Sequence, residues 1–155
     1  MTSVVLTANE MYVAAMVGVR RRLSSMSAGF LERNGAASAS IAEAWYYNIV
    51  GAQGEMAAAK ALGVYWPSSI GAEKADPDMP PNWQVRTMGK STYDLIVRKD
   101  DIDSHKYLLV TGTGPEFLVH GWIYGRDAKQ EEWYGDRGGR NAPCFWVPKS
   151  ALKAV

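Results

Sequence analysis

The stretch from Ser40 to Gly63, SIAEAWYYNIVGAQGEMAAAKALG, decides how this chain is built. Ser40 and Glu43 have the spacing of a capping box, in which the hydroxyl accepts the third helical amide and the carboxylate reaches back to the cap. Gly63 after Leu62 is a helix stop, because glycine enters the left-handed conformation without a Cβ penalty. Between these signals Trp45, Ile49, Ala52, Met56 and Ala59 recur at steps of four, three, four and three, which makes one apolar seam directed at a core. Glu55 borders that seam. Its neighbours at i−4, i+3 and i+7, namely Gly51, Ala58 and Leu62, neither pair with a carboxylate nor keep it hydrated. A glutamate placed there requires a partner from elsewhere in the chain.

Upstream, Thr7 and Glu10 form another capping box, with Leu6 and Met11 as the flanking staple, so a helix is expected to start at Thr7 and stop at Asn34-Gly35. Its apolar stripe runs Met11, Ala15, Gly18, Val19, Leu23 and Met26. Arg20, Arg21 and Arg22 project mostly away from it, either as a solvated face or as a phosphate-facing patch. Downstream, Tyr65-Trp66-Pro67-Ser68-Ser69 and then Ala75 to Pro81 form a proline-punctuated connector that no helix survives. Runs suited to strands follow at Trp83–Thr87, Tyr93–Arg98, Tyr107–Thr111 and Phe117–Tyr124, read as an antiparallel meander with a hairpin turn at Gly112 to Gly114. A short helix from Asp127 through Trp133 and a last strand at Cys144–Val147 complete the chain. The expected fold class is α/β (α+β), with two N-terminal helices packed on a mixed, largely antiparallel sheet.

A chain of 155 residues is the size of one domain, here residues 1–155, with an N-terminal helix in 1–36 and a core in 40–150. Hydrophobic residues at 47% against 21% charged exclude a disordered chain, and a net charge of +1 excludes a globally basic glove for nucleic acid. No apolar run reaches the ~18 residues of a membrane span and the N-terminus has no signal pattern, so a cytoplasmic location and no membrane partner are expected. One cysteine, Cys144, and two histidines, His105 and His120, cannot build a thiolate or histidine metal centre, so any metal sits on oxygen ligands. Cys144 reads as core, His120 as a hydrogen-bonded structural residue, and His105 as solvated. Asp100, Asp101 and Asp103 lack the glycine and terminal glutamate of a calcium loop.

Chemistry concentrates between Asp78 and Arg86. On a strand of period two, Gln84 and Arg86 share one face and Val85 takes the other, and a turn can bring the Asp78 carboxylate alongside. With Glu55 from the preceding helix, two carboxylates and an amide oxygen could surround magnesium or manganese while a fixed cation stands by. Such a set suits phosphodiester hydrolysis, in which metal activates water and the cation offsets transition-state charge. Two further cations, Arg137 and Arg140 in a glycine-rich loop beside Trp133 and Tyr134, together with Lys90, are candidate phosphate contacts.

This order of elements resembles the PD-(D/E)XK nuclease superfamily, whose core has a helix glutamate, then a strand hairpin with an aspartate and a two-residue-spaced acid and lysine. Gly51 to Glu55, Ala61-Leu62-Gly63, Gln84-Val85-Arg86-Thr87, Tyr107 to Gly112, Gly121-Trp122-Ile123 and Val147-Pro148 look like small phage and bacterial proteins with nuclease-like patterns. The resemblance covers residues 45–152 and implies a restriction-endonuclease-like core. It matches Glu55 to the helix glutamate, Asp78 to the motif aspartate, Gln84 to the second acid and Arg86 to the lysine. Gln84 keeps an oxygen ligand but no charge, and Arg86 can stabilise an anion but cannot serve as a base. Lys90 or Lys60 could supply a migrated amine. The expected function is magnesium- or manganese-dependent, endonuclease-like cleavage of nucleic acid, DNA first. The alternative is an inactive nuclease-like phage accessory protein that binds nucleic acid or protein, with a homodimer or phage-protein partner.

Overall fold

The computed structural model describes residues 1–27, 40–70, 76–137 and 142–155. Both capping boxes form. Thr7 and Glu10 exchange hydrogen bonds ahead of α1 (Ala8–Ser27), as Ser40 and Glu43 do ahead of α2 (Ile41–Leu62). Gly63 closes α2 in the left-handed conformation at φ 64°, its N–H bonding Ala59. The expected α1 stop at Asn34-Gly35 lies outside the described residues.

Six strands and a two-residue bridge make two sheets. The first has the order β1 (Thr2–Val5), β5 (Glu116–Tyr124), β4 (Lys106–Gly112), β2 (Trp83–Met88). The second has the order β3 (Leu95–Val97), β7 (Cys144–Val147), β6 (Tyr134–Gly135). The expected meander is corrected on two counts. β2 runs parallel to β4, in the register Trp83 opposite Lys106, and β3 leaves that sheet to pair with β7. The two facts have one cause: parallel neighbours cannot be joined by a tight hairpin, and the excursion through β3 returns the chain to the start of β4. The Gly112 to Gly114 turn does join β4 to antiparallel β5. The expected helix after Asp127 is shorter and starts earlier, as α3 (Gly125–Ala128), followed by a single 3₁₀ turn at Glu131–Trp133. β1 was not expected, since four residues with only Val4 buried carry too little alternation to read as a strand.

The result is a mixed α+β architecture of three layers: helices, first sheet, second sheet. On the helix side, Ala57, Ala58 and Ala59 of α2 pack on Val85, Leu108, Val110, Phe117 and Val119. On the other side, Tyr107, Leu109 and Ile123 pack on Leu95, Val97, Phe145 and Val147. The α1 stripe is also corrected. Leu23 and Met26 are half exposed, whereas Ala14, Val17, Gly18 and Arg22 are buried, because α1 lies chiefly on α2 and turns a narrow, small-residue face to it. A Cβ at Gly18 would stand 2.6 Å from the Asn48 carbonyl oxygen and from Ile49 Cα, so glycine is what permits this contact. The arginine run therefore does not project away as a block: Arg22 is 5% exposed and Arg21 turns inward. Among the described residues, no helix is long and apolar enough to cross a membrane.

Candidate active site

β2 is the edge strand of the first sheet, and its alternation is that expected from period two. Trp83 and Val85 face α2, and Thr87 meets Gly54 of that helix, while Arg86 and Met88 face the second sheet. Because β2 has a neighbour on one side only, its free edge has to find other hydrogen-bond partners. Asp78 supplies one: its Oδ2 accepts the Val85 N–H at 2.7 Å. The preceding chain folds back on β2 through the paired Met79 and Trp83 backbones, which sets Asp78 beside the middle of the strand. The side chain of Gln84 is held in the same way, its Nε2 donating to the Asp76 carbonyl at 2.9 Å.

Glu55 comes to this edge from α2 and is 6% exposed. The partner it requires is Arg21 of α1. The guanidinium spans both carboxylate oxygens, Nη1 to Oε1 at 2.5 Å and Nη2 to Oε2 at 2.8 Å, and Trp66 Nε1 donates to Oε2 at 3.0 Å. Arg21 is fixed in turn by Nε donating to the Ser69 carbonyl at 2.8 Å. Burial alone would make the Arg21 charge easier to lose, but the hydrogen bonds and charge of Glu55, with the charge of Asp78, hold its pKa above the ordinary value.

Asp78 is close enough to feel Glu55. Burial first, and the Glu55 charge second, push its carboxyl pKa up to about 7, against the opposing pull of the Val85 N–H, Arg86 and Arg21. Two carboxylates thus share one low-dielectric edge, and one of them holds its proton near neutrality. Arg86 lies on the far face of β2, where it grips both oxygens of Asp101 at 2.9 and 3.0 Å and covers the Tyr107 ring at 5.1 Å. Its cation is therefore already compensated by a carboxylate from another loop. Among the described residues, no three His, Cys, Asp or Glu side chains are grouped to hold a metal.

The structure accordingly brings Glu55 and Asp78 together, sets Gln84 and Arg86 on the opposite face of the same strand, and leaves Lys90 exposed in the following turn. No protein-family model, curated protein or solved structure matches the chain. Lys60 does not serve the site: it pairs with the capping Glu10 at 2.8 Å. Arg137 pairs with Asp94 at 3.0 Å, and Arg140 lies outside the described residues.

Sequence reasoning missed Arg21, Trp66 and Asp101. Only Arg21 left a signal, since three successive arginines cannot all occupy one helix face. The remaining candidates settle into structural roles. His120 Nε2 shares a 2.8 Å hydrogen bond with the Thr111 hydroxyl. Cys144 is buried, which raises its thiol pKa. His105 is corrected from solvated to buried at 8% exposure, because β4 begins beside it and Gly125 N–H bonds its carbonyl. The Asp101 carboxylate binds Arg86 and the Asp103 carboxylate binds Lys129, whose Nζ also donates to the Asp101 backbone carbonyl.

Proposed function

We propose that the chain is a metal-dependent phosphodiesterase acting on nucleic acid, with a restriction-endonuclease-like core and Glu55 and Asp78 as the carboxylate pair. The observation that carries this reading is the meeting of a helix carboxylate and a loop carboxylate at the free edge of β2. The donor chemistry fits a hard divalent cation, since two carboxylates that repel across one edge would be relieved by it. The guanidinium of Arg21 is the positive charge that answers Glu55 in the present arrangement. Magnesium or manganese, when bound, supplies polarisation of a phosphoryl oxygen and of a water molecule.

In this reading Glu55 and Asp78 would hold the cation at the edge of β2, Asp78 in its ionised form, while Gln84 and Arg86, on the other face of the strand with Arg86 bound to Asp101, would act only from outside that pair. Arginine cannot act as base, and Asp78 as an ionised ligand is not free to take a proton, so the proton of the attacking water would leave to solvent. The second reading, a non-catalytic nucleic-acid-binding protein, is favoured by one observation, the three hydrogen bonds that Arg21 and Trp66 already make to Glu55. Cleavage of single- and double-stranded DNA and RNA with magnesium or manganese separates the two. The enzyme reading expects metal-dependent nicking that disappears in both Glu55→Gln and Asp78→Asn variants. Binding without cleavage under either metal would replace it with the second reading.

A further inference from the structure

At the end of the first sheet away from the β4–β5 turn, three aromatic rings on adjoining strands meet three cations: Lys106 of β4, Arg126 of α3 and Lys153 near the C-terminus. Trp83 stands opposite Lys106, Lys106 opposite Tyr124, and Trp122 two pairs further along, opposite Leu108. The rings meet edge to face, Trp83 with Trp122 at 5.6 Å and Trp122 with Tyr124 at 5.2 Å. Lys106 Nζ sits 4.7 Å from the Trp83 ring centre and 4.9 Å from that of Trp122. Lys153 Nζ lies 5.0 Å from Trp122 and 5.4 Å from Tyr124, held there by a two-way backbone pairing of Lys153 with Trp122. Arg126 covers Tyr124 at 4.5 Å.

The charge is what sets this row apart. Among the described residues, the carboxylates pair with Arg21, Lys60, Arg86, Lys129 and Arg137, and none stands within ion-pair distance of Lys106 or Lys153. Arg126 has Asp127 only at 3.8 Å. Ring faces attract cations, so they hold the lysine stems in place without cancelling the charge. Three like charges are thus kept at short range across three strands, roughly 10 Å at one strand spacing of ~4.8 Å each, with Lys153 and Arg126 exposed, Lys106 half-buried and the Trp83 ring itself buried beneath them. A row of this kind suits a polyanion that passes over it, rather than a small anion that needs enclosure. The row also ends at Trp83, two residues along β2 from Val85, whose N–H Asp78 holds.

We infer that Lys106, Lys153 and Arg126, positioned on Trp83, Trp122 and Tyr124, form a track for the phosphate backbone of nucleic acid leading to the Asp78 edge of β2. The partner class rests on the nucleic-acid reading above; the track itself requires neither metal nor cleavage. The ring faces are occupied by the cations, so the contact is with phosphate and is insensitive to base sequence.

The test is anisotropy of fluorescein-labelled 20-mer DNA, duplex and single-stranded, titrated with the protein in EDTA across a series of salt concentrations. Lys106→Gln/Lys153→Gln should weaken binding at least tenfold and lower the slope of log affinity against log salt by about 1.8 on duplex or about 1.4 on single strands. Lys106→Arg/Lys153→Arg should bind as the wild type does. Should the glutamine pair fail to fold, Arg126→Gln/Lys153→Gln removes two exposed charges and must lower the slope by a similar amount. A wild-type slope retained in the folded variants, or DNA binding by the wild type with no salt dependence, overturns the track. Slope loss with no metal-dependent cleavage by the wild type sinks the nuclease reading alone; cleavage with an unchanged slope sinks the track alone.

Discussion

Arg21 and Glu55 set the character of the candidate site, because a buried carboxylate with three donors is a settled structural group until another cation competes for it. Breaking such a pair by removing one member is costly, since the other charge stays buried. Arg21→Met should therefore lower stability by on the order of 2–4 kcal/mol in urea titrations, allowing for the partial exposure of Arg21. If Glu55 and Asp78 hold a divalent cation, 10 mM magnesium or manganese should recover more stability in that variant than it adds to the wild type. Equal metal effects on both proteins would assign the pair to structure alone. Asp78 makes a second prediction with a defined sign. Its folded pKa, about 7, lies above the unfolded carboxyl value of ~3.9, so its contribution to stability is present below ~pH 4 and is lost as pH rises towards 7. Asp78→Asn keeps an oxygen for the Val85 N–H and removes the titration. In EDTA the variant should gain on the wild type by roughly 1–3 kcal/mol between pH 5 and 8, and a constant difference across that range would count against the shift.

Helix α2 owes its position to two glycines on different sides. Gly18 of α1 allows the helices to touch backbone to backbone, and Gly54 of α2 accommodates the Thr87 hydroxyl, which a Cβ would approach to 2.0 Å. Helix propensity favours alanine over glycine by about 1 kcal/mol, but at these contacts sterics decide the sign. Gly18→Ala should cost about 2–3 kcal/mol, because the obstructing atoms are backbone and cannot rotate away. Gly54→Ala should push α2 off β2 and displace the adjacent Glu55, so under the nuclease proposal cleavage should fall further than stability does. Gly51, in the same helix with nothing within 4 Å of its missing Cβ, is the control: Gly51→Ala should raise stability by up to about 1 kcal/mol. Thermal melts of the three variants read this directly, and a stabilised Gly18→Ala would remove the close-approach account of the α1–α2 contact.

Across the whole molecule, the first sheet is packed on both faces, so neighbouring residues of one strand serve different cores. Leu109 faces the second sheet and Val110 faces the helices, and both are fully buried. If the three layers fold as one unit, Leu109→Ala should cost about 2–5 kcal/mol and Val110→Ala somewhat less, each shifting one common transition seen by fluorescence and by circular dichroism. Separate transitions would mean that the second sheet folds by itself. The division between what was legible and what was not follows from the range of the interactions involved. Capping boxes, the Gly63 stop, the Cys144–Val147 strand and the alternation of β2 depend on residues a few positions apart, so Ser40, Glu43, Gln84 and Arg86 could be placed from their neighbours alone. The need of Glu55 for a partner was local too. The partner was not: Arg21 lies 34 positions away, and only the close passage of α1 at Gly18 brings it there. The same holds for the parallel pairing of β2 with β4, the transfer of β3 to a second sheet, and the capture of Arg86 by Asp101. Sequence by itself determined the two long helices, most of the strands and which side chains demand company, because those are short-range properties of the chain, whereas β1 and the bounds of α3 were not among them. Tertiary structure alone decided which groups meet, because strand order and helix packing are settled by burial of surface summed over the whole molecule.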